Sequence, residues 1–179
     1  MQRTHSRGLT LIELLTVLAV VAAIAGLGLP ALRDVGDRAR ASNALHHLSA
    51  TLASARTTAI HRRQPVTVCP AGPDGRCRND PTWSGGWLIY LDPGRRDQPA
   101  SEADVLRRID GDRRIALATT AGRLRVRFQP DGRSGGSNLS IRLCSTGPRA
   151  RLLGRVVVSN SGRTRSERPA GTEPCPFVP

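Results

Sequence analysis

Arginine is the most abundant chemically active side chain in this 179-residue chain. All 27 Lys-or-Arg positions are arginine, against 14 acidic residues, which gives a formal net charge of +13. The excess is concentrated, since residues 120–179 contain 11 arginines and three acidic residues. A positive surface of this kind attracts polyphosphate backbones without reading their sequence. A solvated arginine-rich surface that binds no ligand is the alternative.

The pattern Gly-Arg-x-Arg occurs at residues 75–78, where the first cysteine pair ends, and in two later segments, residues 122–125 and residues 162–165. Glycine lets the backbone turn, and two arginines in an exposed loop can bind phosphate oxygens bidentately. Glycine and arginine are both common in this composition, so the pattern alone is a weak indication. The position of residues 162–165, between the last predicted strand and Cys175, favours the last of these segments.

Four cysteines, Cys69, Cys77, Cys144 and Cys175, form an even set that suits two disulfides in an exported protein. The first two enclose a loop rich in Pro, Gly and Asp, which favours a local Cys69–Cys77 bond and leaves Cys144–Cys175 as the second. Zinc is the alternative, but no Cys-x-x-Cys is present and no histidine follows His61. We therefore predict two disulfides and no metal.

No grouping of side chains in the sequence indicates catalysis. The histidines are His5, near the N-terminus, and His46, His47 and His61, all in one predicted helix. No Ser/His/Asp arrangement and no cysteine beside a base is readable, and no glycine-rich phosphate loop precedes a helix. We predict that the protein is not an enzyme and needs no cofactor.

An apolar segment, residues 9–29, follows a short basic segment, residues 1–8. As a helix it is long enough to span a bilayer, with the leading arginines on the cytoplasmic side. Its one charged residue, Glu13, costs about 2.5–3.5 kcal/mol in lipid unless it is paired. A cleavable secretory signal is the alternative, because residues 23–25 fit a cleavage site. A charged residue such as Glu13 would bring a cleavable signal no benefit, and the helical pattern continues beyond residue 25.

The helical pattern continues to Arg62 with small or apolar residues at every third or fourth position, so residues 30–63 are predicted to form an amphipathic, soluble part of the helix. After Pro65 the pattern changes to short segments broken by Gly, Pro, Asp and Ser. We predict an α+β fold in which the long N-terminal helix packs against an antiparallel β-sheet domain, residues 64–179, with two disulfides. The predicted strands are residues 66–69, 86–91, 113–118, 123–129, 139–144 and 152–159.

The basic leader and residues 8–13, Gly-Leu-Thr-Leu-Ile-Glu, resemble the leader motif of type IV pilins and type II secretion pseudopilins. The chain has Leu9 where the family usually has phenylalanine. The resemblance implies that a prepilin peptidase cuts after Gly8 and methylates the new N-terminus. A carboxylate at Glu13 can then neutralise the ammonium of its own or a neighbouring subunit in lipid, which is a role in assembly. Snorkelling of Glu13 to the membrane interface is the alternative.

The C-terminal part of the chain resembles the GspH/FimT group of minor pilins. The resemblance implies a type IV pilin fold, insertion in the bacterial inner membrane with a periplasmic C-terminal domain before assembly, and other pilins or pseudopilins as partners. The residues that carry it are Cys69-Pro70, Asp74-Gly75, Cys77, Trp83, Gly86-Trp87, Asp92, Cys144, residues 156–159, residues 162–165 and Cys175.

Within the FimT branch, a C-terminal Gly-Arg-x-Arg is associated with DNA capture in natural transformation, and residues 162–165 match it. The resemblance implies a minor pilin whose soluble part binds double-stranded DNA weakly and with little sequence preference. The expected DNA-binding residues are Gly162, Arg163 and Arg165, supported by Arg149, Arg151, Arg155 and Arg168. Arg123, Arg125 and Arg127 are expected on a sheet face that does not wrap a duplex. A GspH-like pseudopilin of type II secretion with a purely structural role is the alternative.

Overall fold

The structure, a computed structural model, describes residues 10–112, 114–120, 122–136, 138–147 and 150–177. Inside the helix, the side chains of residues 27–34 are not described. Three predicted site residues, Gly8, Leu9 and Arg149, lie outside the described residues. The chain divides into two compact units after Arg38.

One helix, α1 (Leu11–Arg62), begins in the first unit. Thr10 caps its N-terminus, because its Oγ1 accepts a hydrogen bond from the N–H of Glu13 at 3.3 Å and its carbonyl accepts one from Leu14 at 3.1 Å. The apolar side chains that follow, from Leu11 to Ile24, are exposed in this chain taken alone. Within the described residues, no helix combines the length and the apolar character that crossing a membrane requires.

The second unit contains the rest of α1 and two four-stranded sheets. Their strand orders are β3-β2-β1-β5 and β4-β6-β7-β8, and every pair is antiparallel. The strands are β1 (Val66–Pro70), β2 (Gly86–Leu91), β3 (Val105–Asp110), β4 (Ile115–Thr119), β5 (Val126–Phe128), β6 (Leu139–Ser145), β7 (Leu152–Val158) and β8 (Thr164–Glu167), with one short 3-10 helix at Glu102–Asp104. The predicted α+β fold is confirmed.

The two sheets and the helix share one hydrophobic core. The predicted stripe on α1 provides Leu45, Leu48, Leu52, Ala55 and Ala59, each less than 4% exposed. These residues pack against the inward residues of β1, β2 and β4 to β7. The α1 helix ends where Arg63 adopts φ +51° before Pro65, which cannot continue the helix.

The structure differs from the predicted strands in three places. The predicted strand at residues 123–129 is reduced to β5, because only residues 126–128 pair with β1. Strands β3 and β8 were not expected, and both are edge strands with few buried side chains. Their sequences therefore lack the apolar alternation by which a half-buried strand is recognised.

Two disulfides, Cys69–Cys77 and Cys144–Cys175, form with the predicted pairing. The first closes the loop after β1, and the second joins β6 to the C-terminal tail. Hydrogen bonds hold the same tail, since the N–H of Leu152 donates to the Glu173 carbonyl at 2.9 Å and the N–H of Cys175 donates to the Ala150 carbonyl at 3.0 Å.

Candidate nucleic-acid interface

The segment 162–165 lies in the hairpin that joins β7 to β8. Ser159 closes the turn, because its N–H donates to the Arg163 carbonyl at 2.9 Å and its carbonyl accepts from the N–H of Gly162 at 2.8 Å. Gly162 has φ +78°, a conformation that glycine adopts without strain. The hairpin places Arg163 at the end of the turn and Arg165 two residues further, in β8.

Gly162 does more than allow the turn. It is buried, and a Cβ atom at this position would lie 1.9 Å from the carbonyl oxygen of Gly132, in the loop between β5 and β6. The same loop is hydrogen-bonded to the turn, since the N–H of Ser134 donates to the Asn160 carbonyl and the N–H of Asn160 donates to Asn138 Oδ1, both at 3.0 Å. The turn is therefore fixed against its neighbour.

Strand alternation brings the arginines of β7 and β8 to one surface. Arg165 and Glu167 alternate along β8, Arg163 stands two residues before Arg165 at the end of the turn, and Glu167 is directly opposite Arg155 on β7. Arg155 is opposite Arg142 on β6. We call this group of Arg142, Arg155, Arg163, Arg165 and Glu167 the hairpin arginine face. It contains three of the predicted DNA-binding arginines.

Arg142 is the member of this face that the sequence did not indicate. Its alternation with buried Ile141 and Leu143 shows that it points away from the core. Its position beside Arg155 depends on the register between β6 and β7, which contains an irregularity between Leu143 and Cys144. No pattern in the sequence predicts that register, so nothing in the sequence indicates that Arg142 lies beside Arg155.

Glu167 compensates part of the charge on the face. Its carboxylate accepts hydrogen bonds from Arg155 Nε at 2.5 Å and from Arg165 Nε at 2.6 Å. The bond from Arg155, and next the bond from Arg165, hold the pKa of Glu167 below its usual range, so the group is ionised at neutral pH. The side chain of Arg163 makes no hydrogen bond or ion pair with any residue that the structure describes. Arg142 has no such partner among the described residues either, but it is half-buried whereas Arg163 is exposed, so Arg163 is the most available cation of the face.

Two of the predicted supporting arginines lie elsewhere. Arg168 Nη2 donates to Ser42 Oγ at 3.0 Å, so this side chain turns towards α1, as does Ser166, whose Oγ lies 2.7 Å from Ser49 Oγ. Arg151 precedes β7 at the end opposite the turn, where its N–H donates to Ser145 Oγ at 2.9 Å. The structure does not bring either residue to the hairpin arginine face.

The Gly-Arg-x-Arg segment at residues 122–125 has a different environment. Arg123 donates through Nη2 to Ser134 Oγ at 3.2 Å and to the Gly135 carbonyl at 2.6 Å. Arg125 lies 2.5 Å from Asp97, and its side chain is only 13% exposed. These arginines precede β5 and are half-buried among loops, whereas an exposed sheet face was expected.

An amphipathic helix packed on antiparallel sheets, with a disulfide that holds the C-terminal tail, is the architecture of the type IV pilin fold. Crystal structures of the minor pilin FimU from Pseudomonas aeruginosa PAO1 share it. One crystal form has a TM-score of 0.58 at 19% identity over 76% of this chain and 94% of FimU. A second form has a TM-score of 0.52 at 18% identity over 73% and 95%. The protein thus has the fold of the type IV pilin class.

Sequence comparison places it within that class. The family model described as "Type II transport protein GspH" matches residues 44–162, about two thirds of the chain, and the chain belongs to this family. It is also similar to the pilin-like protein PilA1 of Thermus thermophilus, with 29% identity over 167 residues, which cover 90% of this chain and 98% of PilA1. Pilins and pseudopilins are structural subunits of filaments, and this chain is one of the GspH/FimT type.

Proposed function

We propose that this minor pilin binds double-stranded DNA non-specifically through the hairpin arginine face, as in DNA uptake for natural transformation. The observation that supports the proposal most directly is the position of Arg163, which is exposed, has no partner among the described residues and sits on a fixed turn. Four arginines share this face with one carboxylate, Glu167. An excess of guanidinium groups on a fixed hairpin favours phosphate binding, because little ordering is needed when the ligand arrives.

The proposed interaction is electrostatic and therefore depends on salt. If three to five phosphates are neutralised, the logarithm of the binding constant should fall against the logarithm of the salt concentration with a slope of roughly −3 to −4.5, at about −0.9 per contact. Phosphate contacts carry no sequence information, so we expect similar affinities for unrelated duplexes.

The experiment compares two double variants of the full chain in nonionic detergent. Arg163→Gln/Arg165→Gln alters the face, while Arg76→Gln/Arg107→Gln removes the same charge from a loop and from β3, in the other sheet. We expect the first to weaken DNA binding equally on unrelated sequences and to flatten the salt slope by up to about two, with the second close to the parent. Fluorescence anisotropy across a salt series measures this, with circular dichroism as the folding control. Equal losses in both variants would show that only net charge matters.

A second candidate function is that of a GspH-like pseudopilin of type II secretion with a purely structural role. The ion pairs of Glu167 with Arg155 and Arg165 favour it, because they explain two of the four arginines without a ligand. If the parent protein does not bind DNA at low salt, the structural role is favoured over the DNA-binding role.

For assembly, we propose that residues 1–8 are a leader removed by a prepilin peptidase after Gly8, and that residues 9–29 anchor the protein in the inner membrane before it joins a filament. The basic leader, the apolar segment and the family membership support this processing. The intact mass of membrane-purified protein should correspond to a chain that begins at a methylated Leu9. A chain that begins at Gly26 would contradict the proposal.

We also propose that Glu13 neutralises an N-terminal ammonium during assembly. Glu13 lies in the first turn of α1, where Thr10 makes the helix cap through the main-chain N–H of Glu13, so the Glu13 side chain is not needed for that bond. Glu13→Ala and Glu13→Gln should both leave leader cleavage intact and reduce incorporation into filaments, as measured by immunoblotting of sheared filaments. The glutamine variant retains a helix-compatible polar side chain, so its normal incorporation would eliminate the charge role.

A further inference from the structure

A cavity of about 310 Å³ opens beside β5 on the second unit. Its walls include Asp97, Gly122, Arg123, Arg125, Arg127 and Gly135. Ser134 links this pocket to the hairpin turn, since its Oγ accepts from Arg123 and its N–H donates to Asn160. The pocket and the hairpin arginine face are thus connected through one loop but are formed by different residues.

The three arginines of the pocket are not equally compensated. Arg127 Nε donates to Asp92 at 2.7 Å, a carboxylate that is only 2% exposed, and Arg125 is paired with Asp97. Arg123 has no carboxylate partner among the residues that the structure describes. Its positive charge is therefore the uncompensated charge of the pocket wall.

Arg123 is also incompletely hydrogen-bonded. Its Nη1 atom is buried and donates to no acceptor in the described part of the chain, and burial lowers the pKa of this guanidinium. A buried donor without an acceptor costs free energy, and more so when it carries charge. A small reorientation of Arg123 towards an anion in the pocket would supply the missing acceptor.

The backbone of the pocket adds further donors. The N–H groups of Gly122, Arg123 and Leu124 donate to no acceptor among the described residues. Gly122 has φ +95°, and a Cβ atom there would meet nothing within 4 Å. Successive unpaired N–H groups beside a glycine at positive φ form the type of concavity that binds anions.

We propose that this pocket binds a phosphate group through the guanidinium of Arg123 and the main-chain N–H groups of residues 122–124. A phosphate offers at least three acceptor oxygens and up to two negative charges, which matches this set of donors better than a single carboxylate does. Asp97, whose side chain is 76% exposed, stands at the rim of the pocket. Because its carboxylate repels anions, the ligand must contact Arg123 on the side away from Asp97. The site does not depend on DNA binding at the hairpin.

The test uses the full chain in nonionic detergent, labelled with 15N at arginine and titrated with inorganic phosphate in place of chloride at constant ionic strength. The Nε–Hε resonance of Arg123, assigned by its loss in Arg123→Gln, should shift and saturate with a dissociation constant on the order of 1 mM. Arg163→Gln/Arg165→Gln should bind phosphate like the parent, so failure of the DNA proposal would not affect this result. A shift that grows linearly and equally for all exposed arginines would overturn the proposal.

A second pair of variants keeps the test decisive if Arg123→Gln does not fold. Gly135 lines the pocket without a positive φ, and the nearest atom to a Cβ there would be the flexible end of Gln129, at 3.3 Å. Gly135→Ala should retain the affinity within about twofold, whereas Gly135→Asp places a carboxylate in the pocket and should weaken binding at least about tenfold. Equal affinities in these two variants would overturn the site.

A duplex with 5′-hydroxyl ends distinguishes the source of the phosphate group. If the duplex shifts the Arg123 resonance and competes with inorganic phosphate, the pocket takes a backbone phosphate of nucleic acid. If inorganic phosphate binds and the duplex does not compete, the ligand is a small phosphorylated molecule. If neither shifts the resonance, the pocket is not a phosphate site.

Discussion

The segments 122–125 and 162–165 share the pattern Gly-Arg-x-Arg, yet the structure uses them in opposite ways. In the second segment both arginines are exposed on a hairpin, and Arg163 has no described partner. In the first, Arg123 and Arg125 are half-buried and bonded to residues of other loops. A four-residue pattern therefore does not define a site, because the element that carries it decides which groups reach solvent.

The difference follows from backbone pairing. Residues 164–167 pair with β7, so alternation directs Arg163 and Arg165 to one side of the sheet. Pairing of β5 with β1 begins only at Val126, so the arginines before it are free to turn into the protein. There Arg125 donates to Asn79 at 3.1 Å, which brings two distant loops together.

Substituting the two glycines should give the largest difference between the segments. Gly162→Ala places a Cβ atom 1.9 Å from the Gly132 carbonyl, whereas Gly122→Ala meets nothing within 4 Å. Both positions have positive φ, which costs an alanine about 1–2 kcal/mol. We expect Gly162→Ala to lower the free energy of unfolding by about 3 kcal/mol or more, because backbone must also move, and Gly122→Ala by about 1–2 kcal/mol. Denaturant unfolding followed by circular dichroism measures both, and equal losses would show that the turn is not fixed.

Substituting one arginine in each segment should give a smaller difference. Arg125→Gln removes an ion pair and a hydrogen bond made by a side chain that is 13% exposed, and should lower the free energy of unfolding by about 1–2 kcal/mol. Arg165→Gln removes an ion pair of a side chain that is 69% exposed and should leave stability unchanged within error. Thermal unfolding in the same detergent compares them. A larger loss of stability for Arg165→Gln than for Arg125→Gln would contradict this expectation.

The smallest expected effect comes from the carboxylate that restrains the exposed segment. Glu167→Gln releases Arg155 and Arg165, so we expect DNA affinity to rise about threefold and the salt slope to steepen by up to about one. Glu102→Gln makes the same change of charge and releases Arg108 of β3, in the other sheet, so it serves as the control. The two variants are compared by fluorescence anisotropy, and equal increases would mean that Glu167 acts only through net charge.

The sequence predicted the fold because its patterns are local. The stripe on α1, the change of period after Pro65 and the spacing of the cysteines are all readable within short windows, and the helix, the sheet class and both disulfides follow from them. The division into two sheets is not local. It depends on which strands pair with one another, and no single segment of the sequence indicates that.

The candidate site was predictable only in part for the same reason. Arg163 and Arg165 were found from their pattern, and Arg155 from charge density. The contact of Gly162 with Gly132, the position of Arg142 beside Arg155 and the turn of Arg168 towards Ser42 all join residues far apart in sequence. Charge counting treats arginines as equal, whereas cross-strand register and ion pairing make them unequal.

The Cys144–Cys175 bond also determines how the hairpin responds to tension. A force that acts on Arg163 can reach Cys144 by two covalent routes, one back through β7 and one forward through β8 and across the disulfide. The forward route contains fewer residues, so it becomes taut first and carries the load. This limits how far β7 can be peeled from β6 while the bond is intact. Reduction of the bond would leave the hydrogen bonds between those strands to carry the whole force.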